Sequence, residues 1–112
     1  TVAGTSDLNG NIDVAGTIVA SGDITAFSSE VLKDDIRTID NALNKVADMR
    51  GVYFTKDGEA GTGVIAEEVE AVLPEVVKDG EYKSVAYGNI VGVLIEAVKE
   101  LKEEVKSLKE NS

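Results

Sequence analysis

Hydrophobic and polar residues alternate along the first part of the chain, between residues 8 and 26. Three hexads, at residues 8–13, 14–19 and 20–25, each read apolar-x-Gly-x-Ile-x. This period of two places one set of side chains on one face of an extended chain, and a single short ribbon cannot bury that face. The pattern therefore predicts the end of a multi-chain β-stalk over residues 1–27. A three-stranded meander with turns at Asn-Gly and Ser-Gly is the alternative.

A different pattern, dense in charges of both signs, begins at Ser28 and predicts a compact α+β domain over residues 28–112. Its first element is predicted to be one amphipathic helix, with Ser28 and Ser29 as candidate N-caps and Gly51 as its end. The apolar stripe that predicts this helix has members four, three, four and three residues apart: Leu32, Ile36, Ile39, Leu43 and Val46.

Short elements are predicted between this helix and the C-terminal one, because brief apolar runs alternate with turn residues. They are a strand at residues 52–55 followed by a turn at Asp57 and Gly58, a short helix at residues 65–73 that ends at Pro74, and a hairpin of residues 76–77 and 82–85 around Asp79 and Gly80.

The last segment predicts a long helix, from about residue 88 to residue 110. Its apolar residues follow a heptad rhythm with Val at one core position and Leu at the other, which is typical of a coiled coil. We expect the first two of them to pack on the domain, the last three to meet partner chains in a homotrimer, and the charged residues from Glu100 onward to be solvated. Packing of the whole helix on its own domain is the alternative. The seam residues are Val91, Leu94, Val98, Leu101, Val105 and Leu108.

Composition narrows the possible functions. The 112 residues include 21 Asp and Glu against 11 Lys and Arg, a formal net charge of −10, and neither Cys nor His. This excludes disulfides, the usual zinc sites and His-assisted catalysis. The negative charge disfavours binding to nucleic acid and anionic lipid, and no apolar run could span a bilayer. We expect no cofactor, no metal, no nucleic-acid partner and no membrane partner, and we expect the chain to be part of a longer polypeptide.

Without His or Cys, nucleophilic catalysis requires a hydroxyl and a base such as Lys. Ser28 and Lys33 are the candidate pair, because Ser28 lies just before the predicted helix and Lys33 lies in its first turns. A Lys amine accepts a proton only when neutral, a form that burial against an apolar face favours, and Leu32 and Ile36 could supply that face. By residue type alone, a Ser N-cap followed by a surface Lys is the favoured interpretation.

Residues 28–101 resemble the C-terminal intramolecular chaperone domain of phage tailspikes and tail fibres. That domain is best known from endosialidase tailspikes, and a related one occurs in myelin regulatory factors. The Gly-rich hexads upstream are similar to tail-fibre shaft sequence. The landmarks are SSEVLK at 28–33, Ile36, IDNAL at 39–43, GVYF at 51–54, GVIAEEV at 63–69, LPEVV at 73–77, SVAY at 84–87, Ile90 and LIEAVKEL at 94–101.

The resemblance implies that the domain trimerises, aligns the upstream β-rich fibre and then releases itself. The scissile bond would be Phe27–Ser28, with Ser28 as nucleophile, Lys33 as base and backbone N–H groups at the helix start as oxyanion donors. The family usually has Asp after the nucleophile. Ser29 stands there in this chain and is a competing nucleophile.

Two other functions remain open at the level of sequence. One is a permanent trimeric fibre tip of the same fold that does not cleave itself, and the other is a receptor-binding tip. The implied location for all three is the virion tail fibre or spike, assembled in the host cytoplasm.

Overall fold

The computed structural model describes residues 3–111. The chain divides into two compact units, Thr1–Asp35 and Ile36–Ser112. The outermost residues of the two predicted domains, 1, 2 and 112, lie outside the described residues.

In the first unit, residues 3–29 form no regular helix or strand within the described part of the chain, and residues 3–35 are exposed. A β-stalk buries its apolar face only against other chains, so the stalk at residues 1–27 stays a prediction.

The long helix predicted from Ser28 to Gly51 is wrong. Glu30–Leu32 forms one 3-10 turn, and α1 spans only Ala42–Ala47. Asp35 and Asn41 adopt left-handed backbone, with φ of 53° and 51°, which interrupts a right-handed helix at both points. Residues 34–41 are rich in Asp, Asn and Thr, side chains that favour turns and caps over helix interiors. This local preference prevails over the hydrophobic spacing.

The predicted strand at residues 52–55 is confirmed as β1, Val52–Lys56, which pairs antiparallel with β2, Glu59–Gly63. The two-residue turn between them is the predicted one, Asp57 and Gly58, and both have positive φ, 50° and 81°, as the tightest hairpin turns require.

The other short elements are also present, at reduced length. α2 spans Ala66–Glu70, and a 3-10 turn at Pro74–Val76 leads into β3, Val77–Lys78. β3 pairs antiparallel with β4, Ser84–Val85, which confirms the second hairpin.

The core of the second unit is small and apolar. α1 packs against the long C-terminal helix α3, Ile90–Glu110, and the segment from α2 to β3 contributes Val69, Leu73 and Val76 to the same cluster. Val69 and Val93 are fully buried, so each contributes about 2 kcal/mol by removing its side chain from water. The buried residues of this cluster are Ala42, Val69, Leu73, Val76, Val93 and Ala97.

The long C-terminal helix is confirmed as α3, Ile90–Glu110, preceded by a 3-10 turn at Tyr87–Asn89. Its 21 residues extend about 31 Å. With β1 to β4 and α1 to α3, the chain is a small α+β protein with short antiparallel strands, which confirms the predicted fold class at that level.

The face of α3 that meets the domain differs from the predicted one. Val93 and Ala97 are buried there, whereas Val91 and Leu94 are exposed, so the expectation that the latter two pack on the domain is wrong. Val93 and Ala97 lie four residues apart and therefore on one side of the helix. Because this side of the helix packs on the domain, the heptad residues lie on the side that faces away from the domain.

Candidate functional site

Ser28 and Lys33 lie in direct contact. The Nζ atom of Lys33 donates a hydrogen bond to Oγ of Ser28 at 2.7 Å. The 3-10 turn at Glu30–Leu32 makes the contact possible, because it folds the chain between the two residues and returns Lys33 towards Ser28. The sequence-predicted nucleophile and base are therefore within hydrogen-bond reach of each other.

Ser29 occupies a different position. It is the N-cap of the 3-10 turn, and its hydroxyl accepts a hydrogen bond from the Val31 N–H at 3.4 Å. The Leu32 N–H donates to the Ser29 carbonyl and the Lys33 N–H to that of Glu30. These three N–H groups are used within the turn. These three groups are therefore not available as the oxyanion donors expected there.

Within the described residues, Lys33 is exposed and not buried against an apolar face as expected. Leu32 and Ile36 are 65% and 63% exposed, and Lys33 itself is exposed, as are Phe27 and Ser28 on either side of the predicted scissile bond. Because the predicted helix does not form, Leu32 and Ile36 belong to no common helical face. The contact between Ser28 and Lys33 is therefore formed in water.

The second candidate site is the seam on α3. All six predicted seam residues are exposed, by 43% to 71%, and from residue 101 to residue 111 the helix has no buried position. An open apolar groove of about 590 Å³ runs along its C-terminal half. It is lined by Val98, Leu101, Lys102, Val105, Lys106, Lys109 and Glu110.

Glu100 is a residue whose role sequence reasoning missed. We expected it on the solvated side of α3, but its carboxylate accepts the backbone N–H groups of Ala42 and Leu43, both at 2.9 Å. Asn41 gives α1 no side-chain cap, so Glu100 supplies the acceptor that the helix start lacks. These two backbone hydrogen bonds lower the pKa of Glu100. The seven-residue spacing from Val93, on the buried side, was the available signal.

Ion pairs join other surface elements of the second unit. Arg50 binds Glu68 through two nitrogens, at 2.9 and 3.0 Å, and this pairing lowers the pKa of Glu68. Lys83 bridges Asp79 at 2.6 Å and Glu70 at 3.1 Å, and its hydrogen bond lowers the pKa of Asp79. These ion pairs connect α2 to Arg50, which follows α1, and to Lys83 of the second hairpin.

Aromatic residues shape the first hairpin. The Phe54 ring lies so close to Gly61 that a Cβ there would meet it at 2.7 Å, and the Tyr87 hydroxyl lies where a Cβ on Gly63 would be. The hydroxyl accepts a hydrogen bond from the Val64 N–H at 3.2 Å. The two glycines thus have a packing role, and an open groove of about 650 Å³ borders this region.

The described residues contain neither a metal-binding cluster nor a membrane-spanning helix. Within residues 3–111, no three acidic side chains are arranged to hold a metal ion. Across the same part of the chain, every helix is too short or too polar to cross a bilayer.

Comparison with known proteins finds one matching family and several relatives. Residues 28–78 match a peptidase family described as chaperone of endosialidase. The chain is 31% identical to the long tail fiber protein Gp37 of Salmonella phage S16 over 91% of its own length, and 36% identical to Gp37 of Enterobacteria phages K3 and T2 over 69%. It spans 17% of the first of these relatives and 7% of the other two. Residues 28–78 of this chain are therefore similar to the chaperone-of-endosialidase family.

Proposed function

We propose that this chain is the trimerisation and folding chaperone of a phage tail fibre, and that it releases itself by cutting the Phe27–Ser28 bond. The observation that carries the self-release is the 2.7 Å contact between Ser28 Oγ and Lys33 Nζ. The family match and the tail-fibre relatives support the chaperone role and a location in the virion tail.

The exposed seam on α3 supports the trimer. This chain exposes 9959 Å², against about 5,900 Å² for a compact monomer of this mass, and the wholly exposed residues 3–35 contribute to the excess together with α3. The apolar part of the excess includes a continuous helix face with the Val and Leu alternation of coiled coils. Three copies that join their α3 helices would cover it.

The cleavage step follows from the geometry of the dyad. When Lys33 is neutral, the hydrogen bond reverses and Nζ accepts the Ser28 hydroxyl proton. Oγ then attacks the Phe27 carbonyl carbon, the peptide C–N bond breaks, and the proton moves from Lys33 to the nitrogen of Ser28. Water hydrolyses the resulting ester, which leaves a carboxylate on Phe27 and restores the Ser28 hydroxyl. Residues that cover Lys33 in the trimer would favour its neutral form.

The chaperone role follows from the repeats. The hexads at residues 8–25 share one pattern of apolar, Gly and Ile positions, so three such chains can pair in several registers. A trimeric domain at one end holds the chains at high effective concentration in one alignment. After cleavage the aligned stalk is held by its own contacts, and its stability becomes kinetic, because the domain that set the register is gone.

The test is a denaturing gel and mass spectrometry of the freshly expressed 112-residue chain. We expect a fragment that begins at Ser28, absent in Ser28→Ala and in Lys33→Ala. Ser29→Ala is the matched control, because it removes a neighbouring hydroxyl but leaves the dyad intact, and it should still be cut. A fragment that begins at Ser29, or cleavage that survives Ser28→Ala, would overturn the assignment.

A permanent fibre tip that does not cleave is the second candidate, and the water exposure of Lys33 favours it. A Lys amine serves as a base more readily when it is buried than when it is exposed. Full-length chain alone after long incubation of a trimeric sample supports this candidate over self-release.

A further inference from the structure

The helix of the proposed trimer carries a charge pattern that the seam itself does not explain. Glu104 directly precedes seam residue Val105, and Lys109 directly follows seam residue Leu108. In a parallel coiled coil, the residue before one core position lies beside the residue after the next core position of the neighbouring helix. Resting on the trimer proposed above, we propose that Glu104 of each chain pairs with Lys109 of the next copy and fixes the three helices parallel and in register.

The pair can form only between chains. Side chains of one helix meet at spacings of three or four residues, and at 100° per residue a spacing of five puts Glu104 and Lys109 about 140° apart around α3. Both are exposed, and Lys109 lines the apolar groove on α3. The two charges therefore flank the seam on opposite sides, where a second copy would bring them together.

Charge complementarity also selects the direction of the helices. Lys102 and Lys109 both follow Leu residues of the seam and line one side of the groove. An antiparallel arrangement would place this lysine side against its own copy, with like charges opposed, whereas the parallel arrangement offers Glu104 to Lys109. The equivalent position one heptad earlier is Ala97, which is buried on the domain. The ion pair thus belongs to the part of α3 that extends past the core.

The test is a charge reversal measured by sedimentation across a concentration series. Glu104→Lys replaces attraction by repulsion at all three interfaces of the trimer, and we expect the association constant to fall about ten- to a hundred-fold. Adding Lys109→Glu to the same chain should restore it. Glu103→Lys is the matched control, because it changes the net charge equally on the outer side of the helix. General relief of the −10 charge predicts stronger association for both single variants, which is the opposite result for Glu104→Lys.

The outcomes separate the two proposals. If the wild-type chain is a trimer and Glu104→Lys behaves like Glu103→Lys, the ion pair is refuted and the trimer stands. If the wild-type chain is a monomer, the proposed function fails. A second readout uses spin labels on single cysteines introduced by Glu103→Cys or Glu110→Cys, one heptad apart. Parallel helices in register give the same distance between labels at both positions, and clearly different distances overturn the proposal.

Discussion

Truncation of one seam side chain should weaken the proposed trimer without unfolding the domain. Leu101 is 48% exposed and is not part of the core cluster. Assembly can therefore bury about half of a leucine side chain per copy, which is worth about 1 kcal/mol. Because three copies meet in one layer, Leu101→Ala should cost about 3 kcal/mol per trimer, or roughly a 150-fold lower association constant.

Sedimentation velocity across a concentration series measures this effect. Since trimer formation depends on the cube of the monomer concentration, a 150-fold change moves the midpoint concentration by its square root, roughly twelve-fold. Glu103→Ala is the matched control, two residues away on the outer side of the same helix. Both variants introduce the best helix former, so circular dichroism should show an intact α3. An unchanged midpoint in Leu101→Ala would show that the seam does not hold the chains together.

Two further predictions concern the stability of the second unit. The pKa of Glu100 is lowered in the folded state by the hydrogen bonds from Leu43 and Ala42, so its stabilising effect is present above the ordinary carboxyl range and is lost as pH falls through the lowered pKa. Glu100→Gln should therefore lower the melting temperature at pH 7, and the difference from wild type should disappear in acid. A constant difference in melting temperature down to pH 3 would contradict this. Val69→Ala should lower the free energy of unfolding, measured in urea, by about 2 kcal/mol, because Val69 is fully buried. The same change at exposed Val19 should leave the urea midpoint unaltered. Equal effects of the two substitutions on the midpoint would be evidence against the described core.

The elements that sequence predicted correctly are those fixed by local signals. The turn at Asp57 and Gly58 requires two residues that tolerate positive φ, and both stand at the right positions. The long helix α3 has a continuous apolar rhythm with no Gly or Pro after Gly92. Neighbouring residues alone determine these two elements, so the prediction from sequence and the structure agree on them.

The helix predicted from Ser28 to Gly51 does not form, and contacts between distant residues contribute to the structure of this segment. The stripe from Leu32 to Val46 has helical spacing, yet the chain turns at Asp35 and Asn41. α1 begins at Ala42 with its first N–H groups bound by Glu100, more than fifty residues later. A partner so distant in sequence replaces the local cap, and no pattern within the stripe reports it.

For the candidate dyad, too, sequence indicated some features and not others. The contact of Ser28 with Lys33 depends on six consecutive residues and one 3-10 turn, so it is a local feature, although the long helix predicted there does not form. Leu32 and Ile36, the residues expected to cover Lys33, are themselves mostly exposed. Sequence therefore indicated the two residues of the pair, but neither the turn that joins them nor the exposure of Lys33.

The two sides of α3 explain how one helix can serve both folding and assembly. Val93, Ala97 and Glu100 face the domain, while the seam residues face away from it. A cut between Phe27 and Ser28 would leave both sides of α3 in the C-terminal fragment, so that fragment should remain folded and associated. The stalk would then lose, in a single step, the only described segment with a coiled-coil seam. Its chains would regain their register poorly once separated, because the hexads repeat one apolar-x-Gly-x-Ile-x pattern that fits several alignments.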